Sequence, residues 1–315
     1  MSSTVITSSR RLANEPLAVG QGRITCSLHG TSIVFSELSS TYPLKLLSPR
    51  LVDARVAIVY VLNYGGGLVG GDHIKLEANI KADSKLLLLS QGSTKVFKTR
   101  PGERASARLR WPVQRDASVT TQIMNFTVAP NGAVFLLPDP VTCFRSASYS
   151  QKQRFHLADG ASMVLLDWIT SGRKSLGEEW AFARYHSVNE VFLDGRRVAR
   201  DAVLLEDPSS HTEAAVCRPL ADRLKPYSCY AMLILLGPLT QAVAAQLNGQ
   251  YRSISVFKTA APARMTWAWS AVDEGRAHVV RVAGIETEDV KGWLRESLRG
   301  FEDIIGTDAY RKAFL

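Results

Sequence analysis

No stretch before residue 237 carries the three-to-four-residue spacing of apolar side chains that an amphipathic helix needs, and this constrains the fold more than any other property. Short β-branched and apolar runs recur there instead, punctuated by Gly, Pro, Asn and Asp. Ala105 to Trp111 and Ala117 to Val128 alternate as strands. Ala129-Pro130-Asn131-Gly132 turns, and Ala133 to Leu137 and Val141 to Tyr149 continue in strand. Hairpins are expected for Gln151 to Leu157 with Ala161 to Thr170, and for Val188 to Leu205 around Asp194-Gly195. The pattern predicts a mainly β fold of stacked antiparallel sheets.

Helical patterning enters only near the C-terminus. Leu239 to Leu247 is helical in composition and is expected to stop at Asn248-Gly249. Thr287 to Phe301 places Val290, Trp293, Leu294, Leu298 and Phe301 on one stripe, which predicts a second α-helix. Residues 1–21 read as a flexible N-terminus. Residues 22–315 read as one β-rich domain, more α+β in character over 206–315.

The 315 residues, 46% of them hydrophobic, suffice for a substantial core. Thirty-eight basic against 29 acidic residues leave a net charge of +9. The tightest basic groups, Arg10-Arg11, Arg108-Arg110 and Arg196-Arg197, are scattered, and no RNA-binding aromatic signature accompanies them. Acidic protein partners are therefore expected, with no nucleic acid. Cys26, Cys143, Cys217 and Cys229 lie far apart with no C-x-x-C, so reduced thiols in a cytoplasmic protein are expected. His211 and Cys217 fall in a polar stretch that reads as a solvated loop. The longest apolar run, Ala231 to Leu236, is too short to span a bilayer, and the opening residues lack a secretory apolar core. Their Ser, Thr and Arg, with no acid before Glu15, leave organelle targeting as an alternative.

Six glycines lie between Asn63 and Lys98. Val56 to Leu62 reads as a strand covered on both faces, and it ends at Gly65. Gly65, Gly67 and Gly70 fit G-x-G-x-x-G, yet the next segment is not helical: Ile74, Leu76, Ala78 and Ile80 alternate with polar residues. A dinucleotide turn must open a helix, so that reading fails. Gly92-Ser93-Thr94-Lys95 has the wrong order for a phosphate loop.

Three acids stand out. Asp72 shares the parity of Ile74 and Leu76, which aims its carboxylate at the apolar side if the strand begins there. The alternative is that it caps the glycine turn. Asp167 interrupts the apolar run Ser162 to Ile169, and Glu178 shares parity with Trp180 and Phe182 while Glu179 faces solvent. A buried carboxylate demands a cation, a partner or a raised pKa. A salt bridge from Asp167 or Glu178 to Arg173 is the structural alternative. G-x-S-x-G, S-x-x-K and H-E-x-x-H are absent, and Ser93 has no base partner in the sequence. Carboxylates from different strands would suit a wet passage for a divalent cation, because oxygen ligands release such ions where thiolate and imidazole cages retain them.

The blocks YPLKLLSPR, GGGLVGGD (Gly65 to Asp72), QGSTKVFK (Gln91 to Lys98), PDPVTCFRSASY (Pro138 to Tyr149) and LLDWITSGRKSLGEEW (Leu165 to Trp180) occur in the order seen in the urease accessory protein D family, and the chain resembles that family over most of its length. The resemblance implies a β-helix-like stack of sheets and a scaffold that is not an enzyme. It implies that this scaffold binds accessory protein F, through it the GTPase G, and the urease apoprotein. Nickel would pass to urease through an internal tunnel, weakly held in transit by Asp72, Asp167 and Glu178 as the metal-contacting acids. Ser93, Thr94 and Lys95 match a polar segment of similar placement, with Gly66, Gly67, Gly70, Gly71, Gln91 and Arg173 in supporting positions. No tightly bound cofactor is expected, and GTP would be bound by the partner only. The alternative is a β-rich hydrolase or carbohydrate-binding protein using Asp72, Asp167 and Glu178 as acid and base.

Overall fold

The computed structural model describes residues 16–49, 55–98, 119–206, 218–254 and 263–314. The expected strand at 105–111, His211, Cys217 and residues 1–15 of the N-terminal segment 1–21 lie outside the described residues. Strands β1 (Gln21–His29) and β2 (Ser32–Ser40) open the chain, followed by β3 (Leu44–Leu47) and β4 (Ala57–Asn63). The chain continues through β5 (His73–Ile80), β6 (Lys85–Leu89), β7 (Thr94–Val96), β8 (Thr120–Val128), β9 (Ala133–Leu136) and β10 (Val141–Cys143). Next come β11 (Ser148–Leu157), β12 (Ser162–Thr170), the two-residue strands β13 (Gly172–Arg173) and β14 (Glu178–Glu179), then β15 (Arg184–Leu193) and β16 (Arg196–Glu206). After helix α1 (Leu220–Leu224) lie β17 (Cys229–Leu236), α2 (Gln241–Arg252), β18 (Met265–Val272), β19 (Ala277–Gly284), α3 (Thr287–Ser297), α4 (Glu302–Ile305) and α5 (Thr307–Ala313).

Two sheets carry the fold. The first runs β16-β15-β11-β8-β5-β1-β2 and the second β18-β19-β17-β12-β9-β6-β4-β3, with β7 and β10 attached beside β12. From β4 to β15 the chain passes back and forth between them, so in-sheet neighbours are joined through a strand of the other sheet.

This corrects the antiparallel expectation. β1, β5, β8, β11 and β15 pair in parallel, as do β4, β6, β9 and β12. Antiparallel pairs flank these runs: β1 with β2 and β15 with β16 in the first sheet, and β3 with β4 and the series β12-β17-β19-β18 in the second. β11 and β12, expected as a hairpin, belong to different sheets. Short strands with regular turns look alike in both arrangements, because pairing direction depends on where the next strand lands and not on its own periodicity. Pro43 to Pro49 reads in sequence as an extended linker, because proline biases its predecessor away from helix, yet Leu44–Leu47 within it pairs antiparallel with β4.

Side-chain patterning explains the layers. First-sheet strands alternate, with Ile74, Leu76, Ala78 and Ile80 of β5 buried and the residues between them more open, as one covered face requires. The second-sheet strands β6, β9 and β17 are apolar almost throughout because both their faces are covered. Leu86 and Leu88 pack into the core between the sheets, whereas Leu87 and Leu89 pack into a second core beneath the C-terminal helices. That second core takes Val290, Leu294, Leu298 and Phe301, four of the five stripe residues, all fully buried. Helix α2 runs past Asn248-Gly249 to Arg252. A glycine inside a helix costs about 1 kcal/mol, and the burial of Val243, Ala244 and Leu247 offsets it. No described helix is long and apolar enough to cross a membrane.

Candidate functional site

Two sequence blocks meet where the glycine run leaves β4. Gly65 and Gly66 adopt φ of 79° and 76°, conformations that side chains with a Cβ resist. Gly67 serves a different need: a Cβ there would stand 2.6 Å from the Lys95 carbonyl oxygen and 2.8 Å from the Phe97 ring. That close approach lets the Leu68 N–H donate to Lys95 O at 2.8 Å and the Phe97 N–H donate to Leu68 O at 2.8 Å. Gly70 and Gly71 complete the turn before Asp72, with Gly71 at φ 84°. The Asp72 carboxylate accepts from the Val69 N–H at 2.7 Å, so this acid caps the glycine turn.

Of the adjoining segment, Gln91 and Lys95 are exposed, Ser93 is half-buried, and Thr94 points to a cavity of about 40 Å³. The cavity lies between the two sheets, and its wall includes Asn63, Ser90, Thr94, Gln122, Asp139, Gln151, Gln153 and Asp167 among apolar residues such as Met124, Leu136 and Trp168. The space is enough for a few waters.

Asp167 is the acid that reaches it. Reaching across from β12, its carboxylate accepts from Ser187 Oγ at 2.6 Å, Asn189 Nδ2 at 2.7 Å, Gln151 Nε2 at 3.2 Å and Tyr185 OH at 3.4 Å. Tyr149, fully buried, bonds through its hydroxyl to the amide oxygens of Gln122 and Gln151 at 3.0 and 2.9 Å. Burial pushes the Asp167 carboxyl above its usual range against the pull of these donors. The same burial holds the Tyr149 and Tyr185 hydroxyls protonated. Among the described residues, Gln153 Oε1 on the cavity wall keeps no hydrogen-bond partner. A buried acceptor of this kind offers an oxygen to whatever enters the cavity.

Asp139 was not singled out by the sequence because it sits in the turn-like Pro138-Asp139-Pro140. It lines the same cavity. Its Oδ2 accepts from the Gly92 N–H at 3.0 Å, and its own N–H donates to Ser90 Oγ at 2.8 Å. Lys291 of α3 approaches its Oδ1 at 3.9 Å.

Glu178 belongs to a separate network. It pairs side-on with Arg173, Nε to Oε2 at 2.8 Å and Nη2 to Oε1 at 2.7 Å, with Arg145 Nε at 3.6 Å. Arg173 in turn lies 4.2 Å over the Phe144 ring. The Arg173 hydrogen bonds hold the Glu178 carboxyl below its ordinary range. Its parity is as read: Trp180 and Phe182 are buried, Glu178 is 9% exposed, and Glu179 faces outward. Asp72, Asp167 and Glu178 thus stand in three local networks. Among the described residues, no group of three or more His, Cys, Asp or Glu side chains is placed to hold a metal ion.

The chain is thus a β-rich body with a small cavity of mixed lining between its sheets, and Asp72, Asp167 and Glu178 do not converge on one site. Residues 18–313 match the family model described as UreD urease accessory protein. Urease accessory protein 4 of Cryptococcus neoformans var. grubii is 37% identical over 90% of this chain and 91% of its own length. Urease accessory protein D of Oryza sativa subsp. indica is 29% identical over 95% and 97%, and urease accessory protein UreD of Sorangium cellulosum 33% over 93% and 84%. The chain belongs to the UreD urease accessory protein family, a family of maturation factors and not of enzymes.

Proposed function

We propose that the protein acts in urease maturation as a nickel-carrying scaffold, together with accessory protein F and the GTPase G, and that the cargo moves through the cavity between its sheets toward the urease apoprotein. The observation that carries this reading is Asp167, an inward carboxylate at a small cavity whose wall, apolar over much of its area, also offers amide and hydroxyl groups and the Asp139 carboxylate. Such hard, neutral or singly charged ligands hold a divalent first-row ion weakly enough to pass it on. Thr94, Ser90 and Asp139 extend the oxygen lining on the side of the glycine blocks. Asp72 and Glu178 do not line the cavity, and their part is to hold the glycine turn and the β13–β14 pair. GTP acts on the partner, and this chain binds no cofactor of its own. The unpaired, buried Cys26, Cys143 and Cys229 support work in the reducing cytoplasm.

The test is in vitro activation of apo-urease with nickel, GTP and the accessory proteins, with this chain omitted or carrying Asp167→Asn. Loss of activation in both cases is expected. Full activation in the mixture lacking the chain would remove the reading.

A further inference from the structure

The outer face of the first sheet, on the side away from the cavity, carries an uneven charge cluster. Ser187, Asn189 and Val191 of β15 point inward, so Glu190 points outward. It is nonetheless only 8% exposed, because cations cover it. Lys152 Nζ lies 3.1 Å from its carboxylate, Arg154 Nε 3.3 Å, Arg197 Nη1 3.4 Å and Arg200 Nε 4.0 Å. These four come from β11 and β16, the strands on either side of β15.

Neighbouring ion pairs are closer to balanced. Arg184 meets Glu206, Arg281 meets Asp201, and Arg196 and Arg276 share Asp273. Around Glu190 one carboxylate faces four cations, which leaves three positive charges over its site among the described pairs. The cationic side chains are 37–53% exposed, so their outer N–H groups remain open to a ligand. A fixed excess of one sign on a sheet face attracts and orients an opposite charge.

Two details favour protein carboxylates over a nucleic acid. The cations already converge on a carboxylate, the geometry that Arg forks match best. Single-stranded nucleic acids need open aromatic faces, whereas the rings beside the cluster, His156 and Phe192, stack on each other at 4.8 Å and 12°. Leu204 on β16, 51% exposed, adds an apolar rim of the kind protein interfaces cover.

We propose that the outer face of β11, β15 and β16 docks an acidic polypeptide segment of a partner protein, with Lys152, Arg154, Arg197 and Arg200 receiving its carboxylates. This surface is independent of the cavity and of its cargo.

The experiment measures binding of a labelled oligo-glutamate peptide to the full chain at low salt. Arg154→Gln/Arg200→Gln is compared with Arg264→Gln/Arg299→Gln, which removes equal charge at side chains 71% exposed elsewhere. Thermal melting verifies that both doubles stay folded. The first double should bind about tenfold more weakly, the worth of two partly exposed charge contacts, and the second within about twofold of the parent. Equal weakening in both would reduce the effect to net charge and overturn the proposal. Preferential binding of oligothymidylate, lost with Arg154 and Arg200, would overturn it in favour of a nucleic-acid face.

Discussion

Ser187 Oγ donates to Asp167 Oδ2 at 2.6 Å, a bond that joins β15 of the first sheet to β12 of the second. Asn189 and Gln151 donate to the same carboxylate. Removing it strands three buried donors, each worth about 1–3 kcal/mol when left unmade. Asp167→Ala should therefore lower stability by about 3 kcal/mol, read as the shift in denaturant midpoint at constant slope.

The same carboxyl sets a pH dependence. Burial raises its folded-state pKa above the unfolded value, so the folded state binds the proton more tightly. Its contribution is whole below the ordinary carboxylate range and declines as pH rises through the folded value. Asp167→Asn should flatten that decline in pH-dependent melting. A decline of unchanged size in the variant would assign it to another group.

Glu178 has the opposite sign. Arg173 depresses its pKa, so its stabilisation is present above the ordinary glutamate range and is lost as pH falls through the depressed folded value. Glu178→Gln should be destabilised at neutral pH and converge on the parent in acid. Parallel pH curves for the two proteins would contradict the pairing.

Glycines 66 and 67 should respond differently. Gly66 needs only its positive φ, with open space beside it, so Gly66→Ala should cost about 1 kcal/mol. Gly67→Ala drives a methyl into the Lys95 carbonyl and the Phe97 ring. Overpacking of that kind costs about 1–3 kcal/mol, and thermal melting should rank Gly67→Ala as the worse of the two.

Burial pushes the Cys26 and Cys229 thiols up to about 12 and the Cys143 thiol higher still. Thiolate is the reactive form. Mass spectrometry after iodoacetamide treatment of the native protein should find these three unmodified, with labelling only in denaturant.

Much of the fold was legible in the residues. Alternation in β5 and continuous apolarity in β6 and β12 reveal one-sided and two-sided burial. The C-terminal stripe from Val290 to Phe301 announces the second core. Parallel pairing was not legible, since β11 and β12 read alike as a hairpin or as steps between sheets. Parity points to Glu178, and the break in an apolar run points to Asp167, but both signals concern acids alone. Gln151 and Gln153 share the parity of Tyr149 and Phe155, and Ser187 and Asn189 that of Tyr185 and Val191, all buried. Extending parity to amides and hydroxyls points to Gln151 and Gln153 of the cavity wall and to Ser187 and Asn189, the donors to Asp167. Asp139 gave no such signal, because a turn places it there and not a strand.

The most direct test of the cavity as a route is Gln153→Leu. The Gln153 Oε1 atom has no hydrogen-bond partner among the described residues, so its loss breaks no hydrogen bond made by that oxygen while stripping it from the passage, and thermal melting verifies that the variant stays folded. Nickel-dependent activation of apo-urease, measured with all accessory proteins present, should fall about tenfold with this variant, the worth of one lost polar contact to a moving ion. Activation at the parental level by the folded variant would contradict the route.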